Sequence, residues 1–360
     1  MGASPSPGVH PKLRRHDVDW LRTLALGLLI IFHIMLSFQS WAVSAGLPQN
    51  DELLEEFVPF LSMLAVWRIP LLFMISGMGV RFAMERRDWK ELLKERASRI
   101  LVPFLFGTYV LGTFFVWAMP RFGWAPEYTP TFGHLWFLLN IFLYVVWLLG
   151  ILIYLKDKPN NSLFRFFSKI MGWPLGLFLF ALPLMLEAWL VDPEYFSVYV
   201  DNLHGWLLGL ICFFLGFVFI STQDVFWPAV EKIRWFALAV GLSLFLARLL
   251  VFELQGEQSW LVGLESMSWM LAVIGFGTRY LNRPSRTLSY LNKAVYPVYI
   301  VHMPVQLAFA YLLLPTELSA YSKLALLMAG TFGTSLLLYE FGLRRMKWVR
   351  PLFGIKMKEA

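Results

Sequence analysis

Three side chains that can do chemistry lie where the surrounding sequence is almost purely apolar: His33, Arg68 and His302. Histidine changes charge near neutrality and is the usual general base. Arginine can hold an anion or a developing oxyanion with its fixed fork of donors. Ionisable groups inside long apolar segments are costly, so each one marks a functional position. His33 lies 13 residues after Trp20, about 20 Å along a helix. Arg68 lies 11 residues after Phe57, about 17 Å. His302 lies 13 residues after Ser289, again about 20 Å. All three therefore fall near mid-bilayer or a little outside it, as a single buried polar site would require. Arg22 precedes His33 by 11 residues, which returns to within about 20° of the same helix face. That face is either a polar path from the cytoplasm, or Arg22 snorkels to lipid while His33 bonds within the bundle. Spacing does not choose between them.

Elements that could position these residues follow from composition. The chain is 58% hydrophobic and 15% charged, against roughly 45–50% and 25% in soluble domains. The apolar excess falls in runs of about 20 residues, each long enough to span a membrane as a helix. Alternation of the kind seen in an outer-membrane barrel is absent. The expected fold is all-α, a polytopic membrane protein with about ten transmembrane helices. The spans are 20–41, 57–83, 99–119, 134–155, 171–191, 204–221, 234–252, 260–280, 288–314 and 321–343. The first run is too long for a signal peptide and carries His33, so it reads as a retained helix. Residues 1–15 read as a flexible cytoplasmic tail, 16–345 as one membrane domain and 346–360 as a basic cytoplasmic tail. If the N-terminus is cytoplasmic, 27 of the 31 basic residues fall on that side. This predicts both termini in the cytoplasm and leaves Arg121 and Lys323 as the basic residues of the outer loops. The net charge of +7 therefore reflects topology and anionic lipid, with no nucleic-acid partner. Cys212 is the single cysteine, so no intramolecular disulfide forms.

Other ionisable groups have plainer readings. Arg248 could pair with Glu187 or Glu265, and Glu340 sits four residues before Arg344 as an ordinary helix pair. His204 reads as a cap, and His134 as an interfacial anchor. The basic stretch from Arg81 to Arg99 reads as an interfacial helix that binds lipid or the phosphates of a cofactor.

Five segments together resemble the acyltransferase type 3 family of integral membrane acyltransferases. They are Arg22 followed after ten residues by His33; Arg68-Ile69-Pro70-Leu71-Leu72-Phe73 continuing to Ser76-Gly77; Arg99 to Gly107; His134-Leu135-Trp136-Phe137-Leu138; and Tyr296, Tyr299 and His302 in a late helix. They occur in the family's order, and the Arg-Ile-Pro-Leu form is closer to the glucan-modifying branch than to the lipopolysaccharide acetylases. The resemblance implies transfer of an acetyl or succinyl group from cytoplasmic acyl-CoA, without a metal, to a hydroxyl of an envelope carbohydrate or lipid-linked acceptor. It implies a multi-pass protein of the bacterial inner membrane, in contact with lipid and open to homo-oligomerisation. His33, Arg68 and His302 are then the catalytic candidates. Arg22, Arg96 and Arg99 are the candidates for the CoA phosphates, and His134, Trp136 and Arg248 for substrate. Two other classes fit the same residues: a transporter or flippase for a lipid-linked sugar, and a sensor or scaffold without catalysis.

Overall fold

The computed structural model describes residues 14–118, 120, 132–159, 161–254 and 258–357. Among the described residues every regular element is helical. Eight helices are long and apolar enough to cross a membrane. They include α1 (His16–Leu36) and α2 (Val58–Met84). The short helix α3 (Trp89–Arg96) leads into an interrupted rod, α4, over residues 97–118. Then come α5 (Trp136–Asp157), the amphipathic α6 (Ser162–Met171) and the short α7 (Leu182–Val191). The bundle is completed by α8 (Leu203–Ser221), α9 (Gln223–Leu250), α10 (Ser259–Tyr280), α11 (Arg286–Leu313) and α12 (Ala320–Leu337).

The other two expected spans are present but broken, for chemical reasons. In α4, π-helical turns at Ala97–Leu101 and Gly107–Leu111 flank an α-helical turn that holds Pro103. Such turns concentrate where a helix must serve a function. The fifth span is interrupted by Pro174 and restarts at Pro183, with a 3-10 segment, Gly176–Ala181, between them. Proline cannot donate to the helix ladder, so it ends or begins α-helix at these points.

The centre of the bundle depends on close backbone approach. A Cβ on Gly77 of α2 would lie 1.8 Å from the Phe213 carbonyl oxygen, and one on Gly216 of α8 would lie 1.9 Å from that of Met74. Small residues are used this way where helices pack in lipid, since dispersion replaces the hydrophobic force there. By contrast, α9 and α12 leave most of their apolar surface outward, as lipid-facing helices do.

Outer-loop expectations needed one revision. Lys323 is buried rather than exposed: its Nζ donates to Asn50 Oδ1 at 3.0 Å and to the Leu314 carbonyl at 2.8 Å. It clamps the 37–57 loop to the start of α12. Arg121 and residues 1–13 of the expected N-terminal tail lie outside the described residues. In the C-terminal segment Phe353 is buried and meets Phe106 of α4 at 5.3 Å between rings.

Candidate active site

His33 on α1 and His302 on α11 meet directly, with His33 Nδ1 3.1 Å from His302 Nε2. Their rings are parallel. The bond directions follow from chemistry. His302 Nδ1 faces the Tyr299 carbonyl, which can only accept, so that nitrogen carries a proton. In the neutral pair His302 Nε2 is then the acceptor and His33 Nδ1 the donor. His33 is left with a bare Nε2, the nitrogen able to take a proton from a substrate.

Arg68 lies beside this pair. Its Cζ sits 3.9 Å over the ring of Phe32, next to His33 in the chain. The side chain is buried, and its Nε and Nη1 have no hydrogen-bond partner. A buried guanidinium with two unspent donors can hold an anion, since leaving such donors unmade is costly. His134, at the head of α5, packs edge-on against His302 at 4.8 Å between centroids. The interfacial anchor expected from its position is thus a third histidine of the cluster. The three do not make a metal site, because His302 spends both nitrogens on Tyr299 and His33. Among the described residues no group of His, Cys, Asp or Glu is arranged to hold a metal ion.

Prolines explain why these side chains find partners. A proline at position i leaves the carbonyl at i−4 without its ladder donor. Pro304 frees Ile300, whose carbonyl faces His134 Nε2 at 3.3 Å. Pro70 frees Val66, and Tyr199 OH reaches the carbonyls of Val66 at 3.2 Å and Ala65 at 3.1 Å. Pro103 frees Arg99, and Tyr296 OH donates to the Arg99 carbonyl at 2.7 Å. Each proline ties a helical turn that bears a candidate site residue to a second element. Tyr299 OH adds a bond to the His134 carbonyl. Neither Tyr199 nor the bonding roles of Tyr296 and Tyr299 were assigned from sequence. For Tyr199 and Tyr296 the signal available was the proline four residues beyond the acceptors Val66 and Arg99; the Tyr299 bond to His134 has no such signal.

Toward the other end of α1 and α11, the arginines gather. Arg22 Nη2 donates to Asp19 at 2.9 Å and also reaches Asn292 of α11. Arg99 bonds Glu95 at 3.2 Å and the Gly354 carbonyl at 3.3 Å. Burial pushes the Arg96 guanidinium below its ordinary value; Glu95 opposes this, while Arg99, Arg87 and Arg22 add to it. Arg96 Nε is buried without a hydrogen-bond partner, 4.0 Å from Glu95 Oε2. Arg22, Arg87, Arg96 and Arg99 against the carboxylates of Asp19 and Glu95 leave a net positive cluster suited to phosphates.

Two expected substrate residues are engaged elsewhere. Arg248 forms a two-pronged bond to Glu265, at 2.8 and 3.0 Å, and donates to the Ser62 carbonyl at 3.1 Å. Its partner is thus Glu265, while Glu187 pairs with His204 at 3.0 Å. Trp136 packs inward against Phe73 at 6.0 Å. Neither makes a ring or hydrogen-bond contact with the histidine cluster.

This arrangement can accept a proton at His33 and hold an anion at Arg68, between a cationic pocket at one end and the 37–57 loop at the other. A glucans biosynthesis protein C of Escherichia coli is 25% identical over 93% of this chain and 93% of its own length. Proteins of the same name from Salmonella schwarzengrund and Salmonella paratyphi B are 25% and 24% identical over 96% of this chain and 94% of theirs. No solved structure matches the chain. The family model described as an acyltransferase domain matches residues 15–340, so this multi-pass helical protein belongs to the acyltransferase type 3 family and is an acyltransferase.

Proposed function

We propose that this enzyme moves an acyl group from acyl-CoA, bound at the arginine pocket, to a hydroxyl of an envelope glucan that arrives from the opposite side. With both termini cytoplasmic, the pocket faces the CoA pool, and the protein resides in the bacterial inner membrane. The observation that carries the reading is that one buried site holds both a bare His33 Nε2 and an Arg68 with unspent donors whose charge reaches His33.

His33 Nε2 takes the hydroxyl proton as the oxygen bonds to the thioester carbonyl carbon. Arg68 holds the resulting oxyanion. Collapse breaks the carbon–sulfur bond, and the CoA sulfur recovers the proton from His33. The products are the ester and free CoA. His302 orients the base and spreads its charge through the shared hydrogen bond. If the acyl group is succinyl, Arg68 is also the natural partner of its free carboxylate. The glucan class of the acceptor follows the names of the relatives.

Purified protein in lipid nanodiscs, given labelled acetyl-CoA or succinyl-CoA and unacylated glucan, tests the reading. His33→Ala is expected to cut transfer by about 10²–10⁴-fold, the usual contribution of a general base. A wild-type protein that moves substrate across vesicles but never turns over acyl-CoA would sink it.

A further inference from the structure

One helical turn beyond the two catalytic histidines lies a second polar pair with no assigned role. Ser37 follows His33 by four residues, and Gln306 follows His302 by four. Four residues return to the same helix face. The two helices run in parallel here, and Gln306 Nε2 donates to the His33 carbonyl at 2.9 Å. Gln306 is 1% exposed and Ser37 is fully buried. That bond fixes which end of the Gln306 amide is which, so its free atom is the oxygen. Gln306 Oε1 and Ser37 Oγ both lack a hydrogen-bond partner, as does Oε1 of the buried Gln39 just beyond.

Buried polar atoms are rarely left unmet, and each one costs about 1–3 kcal/mol if it stays so. One unmet hydroxyl and unmet amide oxygens, all uncharged, suit a ligand that brings hydroxyl donors. To a phosphate it offers the Ser37 hydroxyl alone, with no cation or N–H group beside it. The pair also lies on the far side of the histidines from the arginine pocket. The 37–57 loop roofs it: Asn50 N bonds the Ser37 carbonyl at 2.8 Å, and Gln49 Nε2 bonds that of Gln39 at 2.8 Å.

The geometry points to Ser37 and Gln306 as an acceptor subsite that binds the hydroxyls of a sugar and presents one of them to His33. This rests on the acyl-transfer reading given above and adds the residues that choose the acceptor. A hydroxyl next to the attacking one donates to Gln306 Oε1, and Ser37 Oγ takes or gives a further bond. The sugar gains access when the loop parts from α11, where Leu47 packs with Met303. An acceptor with a lone hydroxyl and no neighbour is correspondingly poor.

The test uses the intact protein in nanodiscs, succinyl-CoA or acetyl-CoA as donor, and the unacylated glucan pool extracted from cells lacking the gene. Ser37→Ala is the clean variant, because the Ser37 hydroxyl bonds nothing within the protein. Gln306→Leu is the second. Each is expected to raise the acceptor KM about five- to tenfold, the worth of one hydrogen bond, while the donor KM stays within about twofold. Simple damage to the fold would instead lower the melting temperature and move both constants together. An unchanged acceptor KM in both variants overturns the subsite and leaves the acyl-transfer reading intact. Wild-type turnover of donor with no transfer to the glucan pool overturns both.

Discussion

At His33 the identity of one neighbouring atom, the Tyr299 carbonyl oxygen, decides which nitrogen can act as base. A ring is aimed through a second ring, and the second ring is held by backbone. The same economy shapes the buried ion pair of Arg248 and Glu265, which also accepts from Trp269 Nε1 at 3.3 Å. Removing one partner strands a buried charge, so Glu265→Ala is expected to cost about 3–5 kcal/mol. Denaturation of the detergent-solubilised protein reads this. A loss below 1 kcal/mol would mean that Arg248 finds a second anion. Tyr199 links stability to chemistry, because its hydroxyl satisfies the turn that carries Arg68. Tyr199→Phe is expected to lose about 1–3 kcal/mol.

Among the elements, the prolines carry a prediction of their own. Pro304→Ala restores an N–H that competes with His134 for the Ile300 carbonyl. The helix should hold or gain thermal stability while transfer falls, the reverse of what a structural proline would show. A parallel fall in melting temperature and activity would contradict it. This reasoning also explains the broken spans. An apolar run of 20 residues reads as a straight helix, and the π-turns around Pro103 do not alter that average. They appear once Tyr296 of another helix supplies the donor that the Arg99 carbonyl requires.

The whole molecule has two ends of opposite character. One end gathers Arg87, Arg96 and Arg99 around Glu95, with Arg22 paired to Asp19 beside them. Glu95 is itself held below the ordinary carboxylate value: burial raises it, but Arg96, Arg99 and Arg87 together outweigh that. The other end carries the folded 37–57 loop. Donor binding should therefore weaken with salt, and Arg96→Gln or Arg99→Gln should raise the donor KM and flatten that dependence. Titration of acyl-CoA at two ionic strengths measures it. An unaltered donor KM would move the CoA site elsewhere.

The sequence was sufficient for the helical class and the membrane setting. Each of these follows from one-dimensional quantities: the length of an apolar run, the count of cations beside it, and a rise of about 1.5 Å per residue. The resemblance of five short segments was enough for the family. Which side chains touch was decided only by tertiary structure. The sequence allowed Arg248 either glutamate, and packing chose Glu265. His134 reads as an anchor at the end of its own helix, and becomes part of the site because Pro304, far along the chain, leaves a carbonyl open to it. Lys323 reads as a loop cation, and is buried because Asn50 reaches it. The physical reason is common to all three. Depth is a property of one helix, whereas a hydrogen bond in a water-poor interior needs a partner from another, and helix order alone does not name the neighbour.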